Sequence, residues 1–203
     1  MMTAAPRRMP RGLMRAKSAP ATIGALLYSL GRFDPVNARE IFPWAQNFVM
    51  GLPLAPWQRP FKWSPEQCAR FVESAWMGVH LGTYIVTEME LQDKAHVEFA
   101  PLSEMVLDGQ QRLKALELYF TDGFALNDLD GNPTFWSEVD LVDRRRFQNT
   151  LFTRSTIPLD SEAQLRIFYD TLNFGGVAHL DNERAVPGHA PEEVASPEQE
   201  SPD

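Results

Sequence analysis

Residues 106–116 read VLDGQQRLKAL, and this stretch decides the fold. Met105, Val106 and Leu107 predict a short buried strand, and Gly109 breaks it. From about Gln110 the positions of Leu113, Leu116, Leu118 and Phe120 predict a helix. The first turn of a helix presents backbone N–H groups without intrahelical partners, together with the positive end of the helix dipole. A strand-Gly-helix junction is therefore a ready anion site. Gly109 would let a phosphate approach the backbone, Gln110 and Gln111 add amide donors and acceptors, and Arg112 adds a guanidinium fork suited to phosphate oxygens. Asp108 is the candidate to hold a magnesium ion or to orient a hydroxyl or water. An Asp-Gly pair before a helix is also a plain turn with aspartate as its cap. What points to chemistry is a cluster of three polar residues opening a helix whose later positions are apolar. The stretch reads as a junction that handles a nucleoside triphosphate or a nucleic-acid backbone.

Outward from this centre, Thr22 followed by Ile23, Leu26, Leu27 and Leu30 predicts a short capped helix, and residues 48–54 an extended segment ended by prolines. Ser64-Pro65 is a helix start, serine as cap and proline at the first helical position, with Cys68, Phe71, Val72, Ala75 and Trp76 on one face. Residues 83–91 predict a strand, residues 130–133 (DGNP) a turn, and residues 139–150 a helix bearing Arg144, Arg145 and Arg146. These arginines stand beside Asp140 and Asp143, which favours a solvated, salt-bridged face over a grip on DNA. A further helix covers residues 161–173, with Leu165, Phe168 and Leu172 on one stripe and Gly175-Gly176 ending it. The sum is an α+β single domain with a small sheet and about five or six helices.

Residues 1–20 hold five bases and no acid, and residues 187–203 are rich in Pro, Glu and Ser. Neither has an apolar period to bury, so a disordered basic arm (1–20) and a disordered acidic tail (187–203) are expected around a domain spanning 21–186. The net charge is −8, and residues 21–180 alone carry −7. Such a domain is not a general nucleic-acid adhesive, because that affinity comes from Lys and Arg neutralising phosphates; any DNA contact must be local. The single Cys68 excludes a disulfide framework or a cysteine-rich zinc site and suits a reducing cytoplasm. No apolar run approaches bilayer length, so no membrane partner is expected. His80, His96, His179 and His189 show no metal-ligand spacing, and no metal site is expected.

Residues 108–113, DGQQRL, match without a gap a motif found at a strand-to-helix junction, and here the chain resembles the GmrSD-type restriction N-terminal domains, a branch of the ParB and sulfiredoxin-like fold. Residues 52–86 (LPLAPWQRPFKWSPEQCARFVESAWMGVHLGTYIV) are similar to that family's upstream pattern: a short strand, QRP-aromatic-x-W, a helix and a glycine-bounded turn. Residues 167–183 (IFYDTLNFGGVAHLDNE) are similar to its downstream helix and N-x-G-G turn with a following acid, here Glu183. The resemblance implies a ParB-like fold and places Gln58 and Arg59 beside the loop. Gln58, Arg59, Gly109 and Gln110 would then bind nucleotide or phosphate, and Asp108, Gln111 and Arg112 would be catalytic. The plain alternative for Arg59 is a surface arginine packed on Trp57 or Trp63. The implied function is binding, with hydrolysis, of GTP, ATP or another NTP with Mg2+, in DNA restriction, anti-phage defence or phage DNA handling. DNA and a partner nuclease subunit are the further partners, since this sequence shows no HNH-like histidine motif of its own. Two rival readings stand beside it: a DNA endonuclease using the same phosphate pocket, and a non-catalytic module that binds DNA or a partner and uses the pocket as a switch.

Overall fold

The structure, a computed structural model, describes residues 15–32, 35–93, 98–159 and 161–174. In chain order these form β1 (Lys17–Ala19), α1 (Ile23–Arg32), α2 (Pro35–Ile41), β2 (Phe48–Val49), β3 (Leu52–Pro53), α3 (Pro65–Trp76), β4 (Thr83–Thr87), β5 (Leu91–Asp93) and β6 (Glu98–Phe99). Then follow β7 (Val106–Asp108), α4 (Gln110–Phe120), β8 (Leu126–Asn127), β9 (Pro133–Thr134), a 3-10 turn (Trp136–Glu138), α5 (Leu141–Gln148), β10 (Thr153–Ile157) and α6 (Glu162–Phe174). The architecture is α+β, as expected: among the described residues, six helices around one four-stranded sheet, with three two-stranded ribbons.

The sheet runs β1-β10-β4-β7. β10 lies parallel to β4, Ser155 opposite Ile85, while β1 and β7 are antiparallel to their neighbours. Two departures from the expected elements lie here. Residues 17–19, assigned to the disordered arm, are strand β1: Ser18 pairs with Ser155, and their hydroxyls meet at 2.5 Å. A short polar segment with no apolar face becomes a strand because β10 offers it an unpaired edge. The strand expected over 83–91 stops at Thr87, whose hydroxyl donates to the Leu102 carbonyl and accepts from Met105 N–H, folding the chain back toward β7.

α3 begins as expected. Ser64 Oγ accepts from Gln67 N–H, and Gln67 Oε1 accepts from Ser64 N–H, a reciprocal capping box with Pro65 in the first turn. Its Cys68, Val72 and Ala75 are buried, in one core with Leu113 and Leu116 of α4, Tyr84 and Val86 of β4, and Phe147 and Phe152. A second core, Met105, Leu107, Ile157 and Leu165, fills the opposite side of the sheet, beneath α6. The helix expected over 139–150 is trimmed to Leu141–Gln148 because Asp140 caps it, accepting from Val142 and Asp143 N–H. On that helix Arg146 pairs with Asp143 at 3.2 Å, the surface ion pair expected, whereas Arg144 turns back over Trp136 and donates to the Ser137 and Val139 carbonyls. The tail 187–203, Gly175-Gly176 and Glu183 lie outside the described residues.

Candidate functional site

The β2–β3 hairpin turns at Met50 and Gly51, both with positive φ (52° and 75°), and Met50 N–H donates to Glu117 Oε2 at 2.5 Å. The hairpin is thereby tied to the middle of α4. Beyond it, Leu54 bridges Val106, the chain turns at Pro56 and Trp57, where Gln58 N–H donates to the Ala55 carbonyl, and it then runs to Ser64 without helix or strand, Pro60 driving Arg59 from helical backbone. Between this run and α4 lies a cavity of about 380 Å³. Its polar wall is Asn47, Gln58, Arg59, Gln110 and Lys114, and the rings of Phe48 and Phe61 contribute to its apolar wall.

The structure thus brings Gln58, Arg59 and Gln110 to one cavity and adds Lys114, which the sequence reading did not single out. The signal for it was present: Lys114 stands four residues after Gln110 and so shares its helix face. Lys114 is paired with Glu117. Among the described residues four buried side-chain polar atoms lack a hydrogen-bond partner, Trp44 Nε1, Trp57 Nε1, Gln58 Oε1 and Gln110 Oε1. Two of the four thus belong to side chains of the cavity wall, and Gln110 is only 8% exposed. A buried amide left unmet costs about 1–3 kcal/mol, so both are primed for a partner.

The rest of the motif does other work. A helix advances 3.6 residues per turn, so Arg112 is carried round to the side away from Gln110. Its Nη2 lies 2.9 Å from Asp108 Oδ2, its Nη1 donates to the Leu81 carbonyl at 3.1 Å, and its Cζ sits 5.7 Å from the centre of the Phe152 ring. Gln111, 8% exposed, turns to the incoming segment: Oε1 accepts from Lys62 N–H (2.9 Å) and Trp63 N–H (3.1 Å), and Nε2 donates to the Pro60 carbonyl at 3.5 Å. Asp108, Gln111 and Arg112 do not line the cavity, so the structure does not bring the whole DGQQR run to it. Gly109 is closely packed. Its φ is 96°, and a Cβ there would stand 2.6 Å from Tyr84 Cβ, so the glycine admits the tyrosine. Burial pushes the Tyr84 phenol above its ordinary range, which keeps it neutral. Lys62 is exposed and lies outside the cavity wall; Asn173 donates to the Tyr169 carbonyl within α6. Among the described residues no group of three or more His, Cys, Asp or Glu side chains is placed to hold a metal ion.

An α+β domain in which a strand-Asp-Gly-helix junction opens α4, and in which α4 and the Gln-Arg-Pro segment wall one small cavity, is an arrangement of a definite kind. The chain belongs to the family described as GmrSD restriction endonuclease, N-terminal domain, which matches residues 46–183, more than half of its length. That match spans the hairpin, the Gln-Arg-Pro segment, the DGQQR junction and α6, and it places the domain in DNA restriction and phage defence. No curated protein and no solved structure matches the chain. Among the described residues no helix is long and apolar enough to cross a membrane.

Proposed function

We propose that the domain binds a nucleoside triphosphate in the cavity between the Gln-Arg-Pro segment and α4, and serves a restriction system as its nucleotide-sensing part, with DNA cut by a partner nuclease domain. The observation that carries this reading is the convergence on one cavity of two cationic side chains, Arg59 and Lys114, with two amides whose oxygens are unmet, Gln58 and Gln110. Phosphate oxygens suit the cations, and the hydroxyl and amino donors of a nucleoside suit the amides. A volume of about 380 Å³ lies within the range of small-molecule pockets, roughly 300–1,000 Å³. The acidic balance of residues 21–180 favours a small anion held locally over an extended polyanion.

Hydrolysis, where it occurs, would draw on the same groups. Arg59 and Lys114 would stabilise charge developing on the terminal phosphate, and a glutamine amide would orient the attacking water. The cavity wall supplies no carboxylate to hold Mg2+, and Asp108 is paired with Arg112, so the residues present do not form a site for that ion. The same feature favours a second reading, in which nucleotide is bound as a switch and not turned over. Calorimetric titration of the protein with ATP, GTP, CTP and UTP tests binding, and phosphate release tests turnover. Arg59→Ala and Lys114→Ala are each expected to weaken binding about ten- to a hundredfold, the worth of a charge-assisted contact. Equal affinity in both folded variants would overturn the pocket, and cleavage of DNA without any nucleotide affinity would show a nuclease instead.

A further inference from the structure

We infer that Gln111 is a positioning residue: it clamps the segment 58–63 to α4 and thereby presents Gln58 and Arg59 to the cavity they share with Gln110 and Lys114. The inference rests on the nucleotide-binding reading for its ligand, but its geometry stands apart from it. One amide oxygen takes two consecutive backbone N–H groups, Lys62 and Trp63, while the amide nitrogen reaches the Pro60 carbonyl. These three atoms belong to the residues immediately after Arg59, in a stretch with no strand or helix of its own. Among the described residues the segment is also held by Gln58 N–H to the Ala55 carbonyl at 2.9 Å, by a long contact of 3.4 Å from Arg59 N–H to the Tyr169 hydroxyl, and by the packing of Phe61 and Trp63 on the main core. Gln110 and Gln111 are neighbours, so one end of one helix both supplies a wall of the cavity and fixes the opposite wall at a set distance. A Gln-Gln pair does this because successive helical residues point about 100° apart.

The variants that separate the roles are Gln111→Met, which keeps the shape and loses the amide, and Gln111→Glu, whose carboxylate still accepts from both N–H groups. Amide hydrogen exchange read by NMR on the ligand-free protein should show Lys62 and Trp63 protected in the wild type, exposed in Gln111→Met and protected again in Gln111→Glu. Nucleotide titration should show Gln111→Met weakened by about tenfold, as expected when a charged contact is no longer held in place, with affinity restored in Gln111→Glu. Adding Arg59→Ala to Gln111→Met should cost little more, because both act through the same side chain. Loss of protection with unchanged affinity would overturn the positioning role and leave the pocket standing. Unprotected Lys62 and Trp63 in the wild type would overturn the clamp itself. Wild-type protein that binds none of the nucleotides would sink the ligand reading, and the exchange pattern would then decide the clamp alone. Should Gln111→Met not fold, Gln111→Glu carries the test: normal affinity supports acceptance of the two N–H groups as the function of this side chain, and loss refutes it.

Discussion

Gly82 and Arg112 are fitted to each other. Gly82 has φ of 76°, and a Cβ there would stand 2.7 Å from Arg112 Nη1, the nitrogen that donates to the Leu81 carbonyl. Gly82→Ala therefore meets two costs, a left-handed backbone of about 1–2 kcal/mol and displacement of the guanidinium. Arg112→Ala loses the ring contact, the carbonyl bond and the Asp108 pair, and is expected to destabilise the fold by about 1–3 kcal/mol. The double variant should lose less than the sum in urea denaturation, since the clash disappears with the arginine. Strict additivity would show that the guanidinium does not occupy the space above Gly82. At this scale the sequence marks the junction and conceals the directions of its side chains. The order Asp-Gly-Gln-Gln-Arg marks a junction, but which side chain meets solvent, loop or ligand depends on the rotation of the helix against the 58–63 segment, and that is a tertiary fact.

Helices were legible where their signals are local. Ser64, Pro65 and Gln67 announce α3, and the apolar spacing of residues 23–30 announces α1, because cap and periodicity sit within a few residues of the element they form. β10 was not foreseen. Its inward positions are Ser155 and Ile157, so TRSTI lacks the apolar alternation of a half-buried strand; its conformation is imposed by β1 on one side and β4 on the other. α5 gives a prediction that belongs to its own first turn. The N–H groups of Asp143 and then Val142 donate to the Asp140 carboxylate and hold its pKa below the usual carboxylate range. A folded pKa below the unfolded one means that this stabilisation is complete above the unfolded value, about pH 4, and is lost as pH falls through the depressed folded value. Asp140→Asn keeps a good cap but no titrating group, so its unfolding midpoint should fall less steeply than that of the wild type below about pH 4. Equal acid slopes would show that the cap does not contribute to the pH dependence.

The whole molecule closes through strands far apart in sequence: β10 joins β1 to β4, and β4 joins β10 to β7. Ser18→Pro tests the outermost of these links. Proline removes a backbone donor from β1 and the hydroxyl contact with Ser155, so the melting temperature should drop, whereas an unpaired arm would tolerate proline without change. The two cores on either side of the sheet were only partly visible in the sequence, since their members, Met105 and Leu165 among them, are brought together by topology and not by spacing. The parallel pairing of β4 with β10 also has a consequence for synthesis on the ribosome. β4 and β7 can join as soon as Asp108 has emerged, but the second edge of β4 must wait for Thr153. At about 5–20 residues per second that interval is roughly 2–9 s. Throughout it the nascent chain carries an open strand edge beside half-formed cores, the interval in which a chaperone has most to protect and a second nascent chain most to pair with.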